Sequence, residues 1–227
     1  MIPEEFKIPV HEYPDGLSAR WYNPKNAYAQ VLMTHGAGAP IEHPFMSTSA
    51  NLMAERGLAV LQYNFLYMQL GSKRPDHQKK TVSTIIQAIE FQKKLSDLPL
   101  FVGGKSYGGR MSSWAMAENN ELAVSGLIYW GFPLHAPGRP SSDRADHLSA
   151  INIPMLFLQG TRDSLADLTL LEPVVKNTRA GELYIVEEGD HSFKVPKRTG
   201  KTNDEILVDL TDKVEDWTKS IVADQTS

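Results

Sequence analysis

Five residues carry the first chemical signal: Gly104-Lys105-Ser106-Tyr107-Gly108 reads G-x-S-x-G and is followed by Gly109. Glycines around a serine let the chain turn sharply, so that the hydroxyl projects from a strand tip while neighbouring amides face the same way. The apolar run Leu98 to Val102 precedes the pattern, and Met111 to Ala117, which suits a helix, follows it. That is the setting a nucleophilic serine needs. Gly104-Lys105-Ser106 could also close a phosphate-binding loop, G-x-x-x-x-G-K-[ST]. The leading glycine of that loop would fall at residue 99, which is Pro99, and the loop cannot form without it.

A serine hydroxyl is a weak nucleophile at neutral pH and needs a base in contact with it. Where a G-x-S-x-G turn crowns a parallel sheet, the chain order is nucleophile, acid, histidine. Of the seven histidines (His11, His35, His43, His77, His135, His147 and His191), three follow Ser106, and His191 alone lies beyond a further predicted strand. It sits in the turn Gly189-Asp190-His191-Ser192-Phe193. The expected acid is Asp163, at the end of the strand Ile153 to Leu158, where it would orient the imidazole. Asp167 is its nearest competitor and falls in a predicted helix. Asp143 and Asp146 come too early, and Asp190 reads as a turn former. The tetrahedral intermediate needs amide donors. Tyr107, directly after the serine, and Ala37, in His35-Gly36-Ala37-Gly38-Ala39-Pro40, are the expected oxyanion-hole residues. His35 reads as a brace for that loop.

These groups need a frame. Val31-Leu32-Met33, Leu58 to Leu61, Leu98 to Val102, Val124 to Trp130, Ile153 to Leu158 and Leu183 to Val186 are continuous apolar runs, as expected of strands covered on both faces. Val82, Ile85, Ile86 and Ile89 recur at helical spacing, as do Ile206, Leu207, Leu210, Val214, Trp217 and Ile221. Such alternation predicts an α/β fold with a mainly parallel central sheet and helices on both faces, whose site lies at the carboxyl ends of the strands. Residues 1–227 read as one domain, with Pro133 to His147 as the longest irregular segment.

Composition narrows the setting. The net charge of −4 gives no reason to expect nucleic-acid binding, and the basic pairs Lys73-Arg74 and Lys197-Arg198 are short and separated. With no cysteine in 227 residues, disulfides, a thiolate nucleophile and cysteine-ligated metals are excluded. Met1 to Val10 lacks the apolar run of a secretory signal, and no stretch approaches the ~18 apolar residues of a membrane span. The expected setting is soluble and cytoplasmic, with no cofactor, no metal and a small-molecule acyl substrate as partner.

His35 to Ala39, Gly104 to Arg110, Phe132-Pro133-Leu134-His135-Ala136-Pro137-Gly138 and Gly189 to Phe193 are similar, in sequence and order, to a family of small dienelactone-hydrolase-like α/β hydrolases. That family includes a testis-expressed protein and a subunit of the nonspecific lethal chromatin complex. The resemblance spans Val31 to the final helix. It implies an α/β-hydrolase fold with little or no cap domain, and hydrolase activity. Dienelactone hydrolases proper use a cysteine nucleophile, so their particular activity does not transfer to a chain without one. Arg110, His135 and Arg139 are the candidate substrate-binding residues, with Phe65, Tyr67, Tyr107, Trp130 and Phe132 as apolar walls. An arginine there could grip a carboxylate. The expected reaction is acyl-bond hydrolysis, of an ester first; amides, thioesters and acceptors other than water are open to the same groups. The alternative is a silent scaffold or interaction protein, which would not need all three groups.

Overall fold

The computed structural model describes residues 1–226. Eight strands form one sheet in the order β1-β2-β4-β3-β5-β6-β7-β8. The parallel part comprises β3 (Ala29–Thr34), β4 (Leu58–Tyr63), β5 (Leu100–Lys105), β6 (Gly126–Trp130), β7 (Met155–Gly160) and β8 (Gly181–Val186). Every residue of β3, β4, β6 and β7 is buried, which is why each of these segments contains a continuous apolar run.

Side-chain alternation along these strands feeds two cores. Leu32, Val102, Tyr129 and Phe157 point to the face covered by α3 (Gln78–Leu95), α4 (Tyr107–Glu118) and α5 (Leu168–Lys176). Val31, Phe101, Ile128 and Leu156 point to the opposite face, covered by α1 (Pro44–Glu55) and α6 (Asn203–Thr226). The period-2 pleat thus sorts adjacent apolar residues onto opposite layers. A short α2 (Leu66–Gln69) completes the helices.

The expected strands form with boundaries two residues later at three starts: Leu100, Gly126 and Met155. β5 runs on through Gly103 and Gly104 because bare backbone fits against its neighbours there. A Cβ on Gly103 would overlap the Ile128 carbonyl, and one on Gly104 would overlap Thr34. Sequence reading did not anticipate β1 (Glu4–Val10) and β2 (Tyr13–Tyr22), an antiparallel hairpin that docks on β4. The excursion from β6 to β7 carries one short 3-10 helix, Asp143–Ala150, packed near α4. Among the described residues no separate lid stands over the strand ends, as expected of an α/β-hydrolase fold without a cap. No helix among the described residues is long and apolar enough to cross a membrane.

Candidate active site

β5 ends in the serine turn. Ser106 has φ 51° and ψ −114°, an unfavourable conformation for a residue with a side chain, and α4 starts at the next residue. The turn closes because Ser106 donates its amide to the Trp130 carbonyl at 3.0 Å and Arg110 donates to the Ser106 carbonyl at 3.1 Å. The motif's second glycine has a steric reason. A Cβ on Gly108 would collide with the Thr34 hydroxyl and lie 2.6 Å from the His35 carbonyl.

The loop after β8 carries His191. Asp190 shapes that loop: its Oδ1 accepts from the Ser192 and Lys194 amides at 2.8 and 2.9 Å. His191 Nε2 lies 2.8 Å from Ser106 Oγ, and Nδ1 lies 2.7 Å from Asp163 Oδ2. Asp163 follows β7, and its carboxylate side chain is fully buried. Three donors converge on it: His191 Nδ1, Gln159 Nε2 at 2.5 Å on Oδ2, and the Leu165 amide at 2.8 Å on Oδ1. Burial alone would raise its pKa. The hydrogen bond and charge of His191, the Leu165 amide and the Lys105 cation together outweigh burial and hold it below the usual value.

Three loops therefore bring Ser106, His191 and Asp163 into one hydrogen-bonded chain. The competitors are placed elsewhere. Asp167 caps α5 by accepting from the Thr169 amide at 2.9 Å, and Asp143 and Asp146 are exposed in the 3-10 helix.

Ala37 and Gly36 line the cleft around Ser106, and a Cβ on Gly36 would lie 3.8 Å from that of Ser106. Among the described residues neither the Ala37 nor the Tyr107 amide donates a hydrogen bond. His35 braces this loop from inside. It is wholly buried, donates through Nδ1 to the Gly36 carbonyl at 2.7 Å, and accepts at Nε2 from the Phe65 amide at 3.0 Å. Burial lowers its pKa to about 4, so it stays neutral.

The cleft itself has a volume of about 710 Å³ and is walled by Ala37, Phe45, Leu165, Phe193 and Leu207, with Lys105 and His191 at its base. Its walls correct the sequence expectation. Phe65, Tyr67, Trp130 and Phe132 belong to the packed core, and the Tyr107 hydroxyl bonds Thr81 at 2.9 Å. Arg110, His135 and Arg139 do not line the cleft either. Arg110 is half-buried beside Tyr107 and Arg144. His135 is committed at both nitrogens, donating to the Ala136 carbonyl at 3.0 Å and accepting from the Asp167 amide at 2.9 Å. Arg139 is exposed in a turn closed against Ala136. The walls come instead from the start of α1 and from the residues after His191. Pro44 at the first turn of a helix was the readable sign of the former. Among the described residues no cluster of three His, Cys, Asp or Glu is arranged to hold a metal ion.

The alpha/beta hydrolase domain family matches residues 27–219. The chain belongs to that family. Solved structures of similar shape include a dienelactone hydrolase from Anabaena variabilis, with TM-score 0.75, 21% identity, and 97% of this α/β hydrolase and 99% of that chain covered. An alpha-beta serine hydrolase homologue from Coxiella burnetii gives 0.74 and 18%, with 95% and 97% covered. Est1E from Butyrivibrio proteoclasticus gives 0.73 and 16%, with 96% and 99% covered. At these identities the likeness shows the fold of this α/β hydrolase, while its chemistry rests on its own residues.

Proposed function

We propose that this α/β hydrolase is a serine esterase: Ser106 is the nucleophile, His191 the general base and Asp163 the residue that orients it. The observation that carries this reading is the unbroken hydrogen-bonded chain from Ser106 Oγ through His191 to a buried, ionised Asp163, mounted on a strained turn. Ser106 Oγ attacks the acyl carbonyl carbon and its proton passes to His191 Nε2. The carbonyl oxygen, now an anion, lies against the Ala37 and Tyr107 amides, which are free to donate. Collapse expels the alcohol, which takes the proton from Nε2. Water, deprotonated by the same nitrogen, then attacks the acyl-enzyme and releases the acid.

The apolar walls favour an uncharged hydrophobic acyl group in a small-molecule ester. Est1E has been solved with ferulic acid bound, which is consistent with a fold of this kind accepting an organic acid. The absence of cysteine fits a reducing, cytoplasmic setting. Labelling with a fluorophosphonate probe, followed by peptide mapping, tests the assignment. Ser106 should carry the label, and Ser106→Ala should neither label nor hydrolyse p-nitrophenyl esters. Equal labelling of both proteins would refute the nucleophile, and no labelling of either would leave the scaffold reading standing.

A further inference from the structure

The residue between the motif's glycine and its serine has an unusual environment. Lys105 is the last residue of β5, and its side chain lines the cleft and reaches the loop that carries His191. Its ammonium donates to the His191 main-chain carbonyl at 2.5 Å. Two rings lie to one side of it, Phe193 at 5.3 Å and Phe45 at 5.8 Å from their centroids, and these rings are stacked 6.2 Å apart at 15°. Such distances give cation–π attraction in a partly desolvated setting. Room for the ammonium comes from Gly131, where a Cβ would lie 3.0 Å from Nζ and 3.4 Å from His191 Nδ1. Nζ therefore lies near His191 Nδ1, the nitrogen that faces Asp163. Among the described residues no carboxylate lies within ion-pair distance of it, though the charges of Asp163 and Asp190 reach it.

The connectivity matters. Ser106 is bonded to Lys105, Lys105 is hydrogen-bonded to the His191 carbonyl, and His191 returns to Ser106 through Nε2. We propose that Lys105 is a positioning residue: its ammonium, resting against Phe45 and Phe193, ties the His191 main chain to the strand bearing Ser106 and so fixes the approach of base to nucleophile. The inference rests on the assignment of Ser106 and His191 above. Burial lowers the Lys105 pKa to about 8, against the opposing pull of Asp163 and Asp190, so the tether loses its charge in the mildly alkaline range. The other ionisable groups around this loop are His191 itself and, in the cleft lining, His43, Lys194 and Asp204.

The experiment compares p-nitrophenyl acetate hydrolysis by wild type, Lys105→Met, Lys105→Cys and Ser106→Ala from pH 6 to 10. Misplacing a base by a fraction of an ångström to an ångström costs up to about 100-fold. Lys105→Met should therefore lose about 10- to 100-fold in kcat with KM little changed. Wild-type kcat should fall as pH rises through about 8, and Lys105→Met should lack that limb. The chain has no cysteine, so Lys105→Cys can be alkylated selectively with 2-bromoethylamine. The restored amine should recover kcat and the alkaline limb, displaced to lower pH by the thioether, whereas alkylation with iodoacetamide should recover neither. Wild-type kcat in a folded Lys105→Met overturns the proposal, as does a wild-type profile flat to pH 10 should the variant not fold. Undiminished hydrolysis by Ser106→Ala would instead overturn the nucleophile assignment on which the proposal rests.

Discussion

Replacing Ser106 by glycine and by alanine separates the strain of the turn from its chemistry. Both variants lack the hydroxyl and its contact with His191 Nε2, so both should be inactive; they differ only by a Cβ. At φ 51° and ψ −114° the residue lies outside the ordinary left-handed well as well as the two broad allowed regions. A side chain held there costs about 1–3 kcal/mol. Glycine removes that cost but gives the unfolded chain more freedom, which takes back about 0.5–1 kcal/mol. Ser106→Gly should thus be more stable than Ser106→Ala by about 1 kcal/mol, with about 2.5 kcal/mol as the upper end. For a chain of 227 residues, 1 kcal/mol moves Tm by about 2 °C. Differential scanning calorimetry resolves that difference, and urea unfolding checks it independently. If Ser106→Ala matched or exceeded Ser106→Gly in both measurements, the turn would not be strained at this residue and the argument from it would fail.

Other perturbations probe the parts around that turn. Gly108→Ala should cost at least about 3 kcal/mol by urea midpoint, since its Cβ meets backbone as well as the Thr34 hydroxyl; Gly38→Ala, with φ +75° but nothing within 4 Å, should cost only about 1–2 kcal/mol. Asp163→Asn should lower kcat by about 10³–10⁴-fold, because His191, Gln159 and Leu165 all donate to this side chain and an amide must turn its own donor towards one of them; a smaller loss in single-turnover acylation would count against its orienting role. His35 has its pKa lowered from 6.5 to about 4, so between those values the unfolded chain takes up a proton that the folded chain refuses. Stability should fall as pH drops through that window, by up to about 3 kcal/mol at the acid end, and urea midpoints of His35→Gln should fall less steeply than wild type.

The central strands were legible because both faces of each are covered, so apolar residues dominate them and the few polar ones, such as Gln30, Gln62 and Gln159, lie at or near their ends. The hairpin of β1 and β2 was hidden for the opposite reason. Its strands mix exposed and half-buried positions with buried ones, and Pro9, Pro14 and Gly16 punctuate them as turns would. Helix α1 was masked by Ser47, Thr48 and Ser49, poor helix formers whose place is secured by packing of Met46, Ala50 and Met53. Ser106, Asp163 and His191 could be named in order because each follows a legible strand. The cleft walls could not. Aromatics near the motif, such as Trp130, are turned into the core by the pleat, whereas Phe45 and Leu207 reach the cleft from helices remote in sequence. Lys105 stood at a variable position of the motif, where the pattern carries no information about the side chain.

The unfavourable features of the molecule gather around the strand ends. Ser106 and Phe193 hold positive φ values of 51° and 61°, and Lys105 keeps an ammonium where burial lowers its pKa from 10.5 to about 8. That displacement corresponds to about 3 kcal/mol as an upper value, because water entering the cleft screens part of it. A bare fold would gain by losing each of these. They persist because the sheet beneath is over-determined: β5 is paired on both sides, by β3 and β6, and its glycines admit backbone packing that no other residue allows. The three costs also share one geometric effect. Strain at Ser106 aims its hydroxyl, the positive φ at Phe193 accompanies a ring set against the Lys105 ammonium, and that partly buried ammonium keeps His191 facing the hydroxyl. A scaffold could relieve any of the three without consequence for its shape, so their concurrence at one point favours a site that has chemistry to perform.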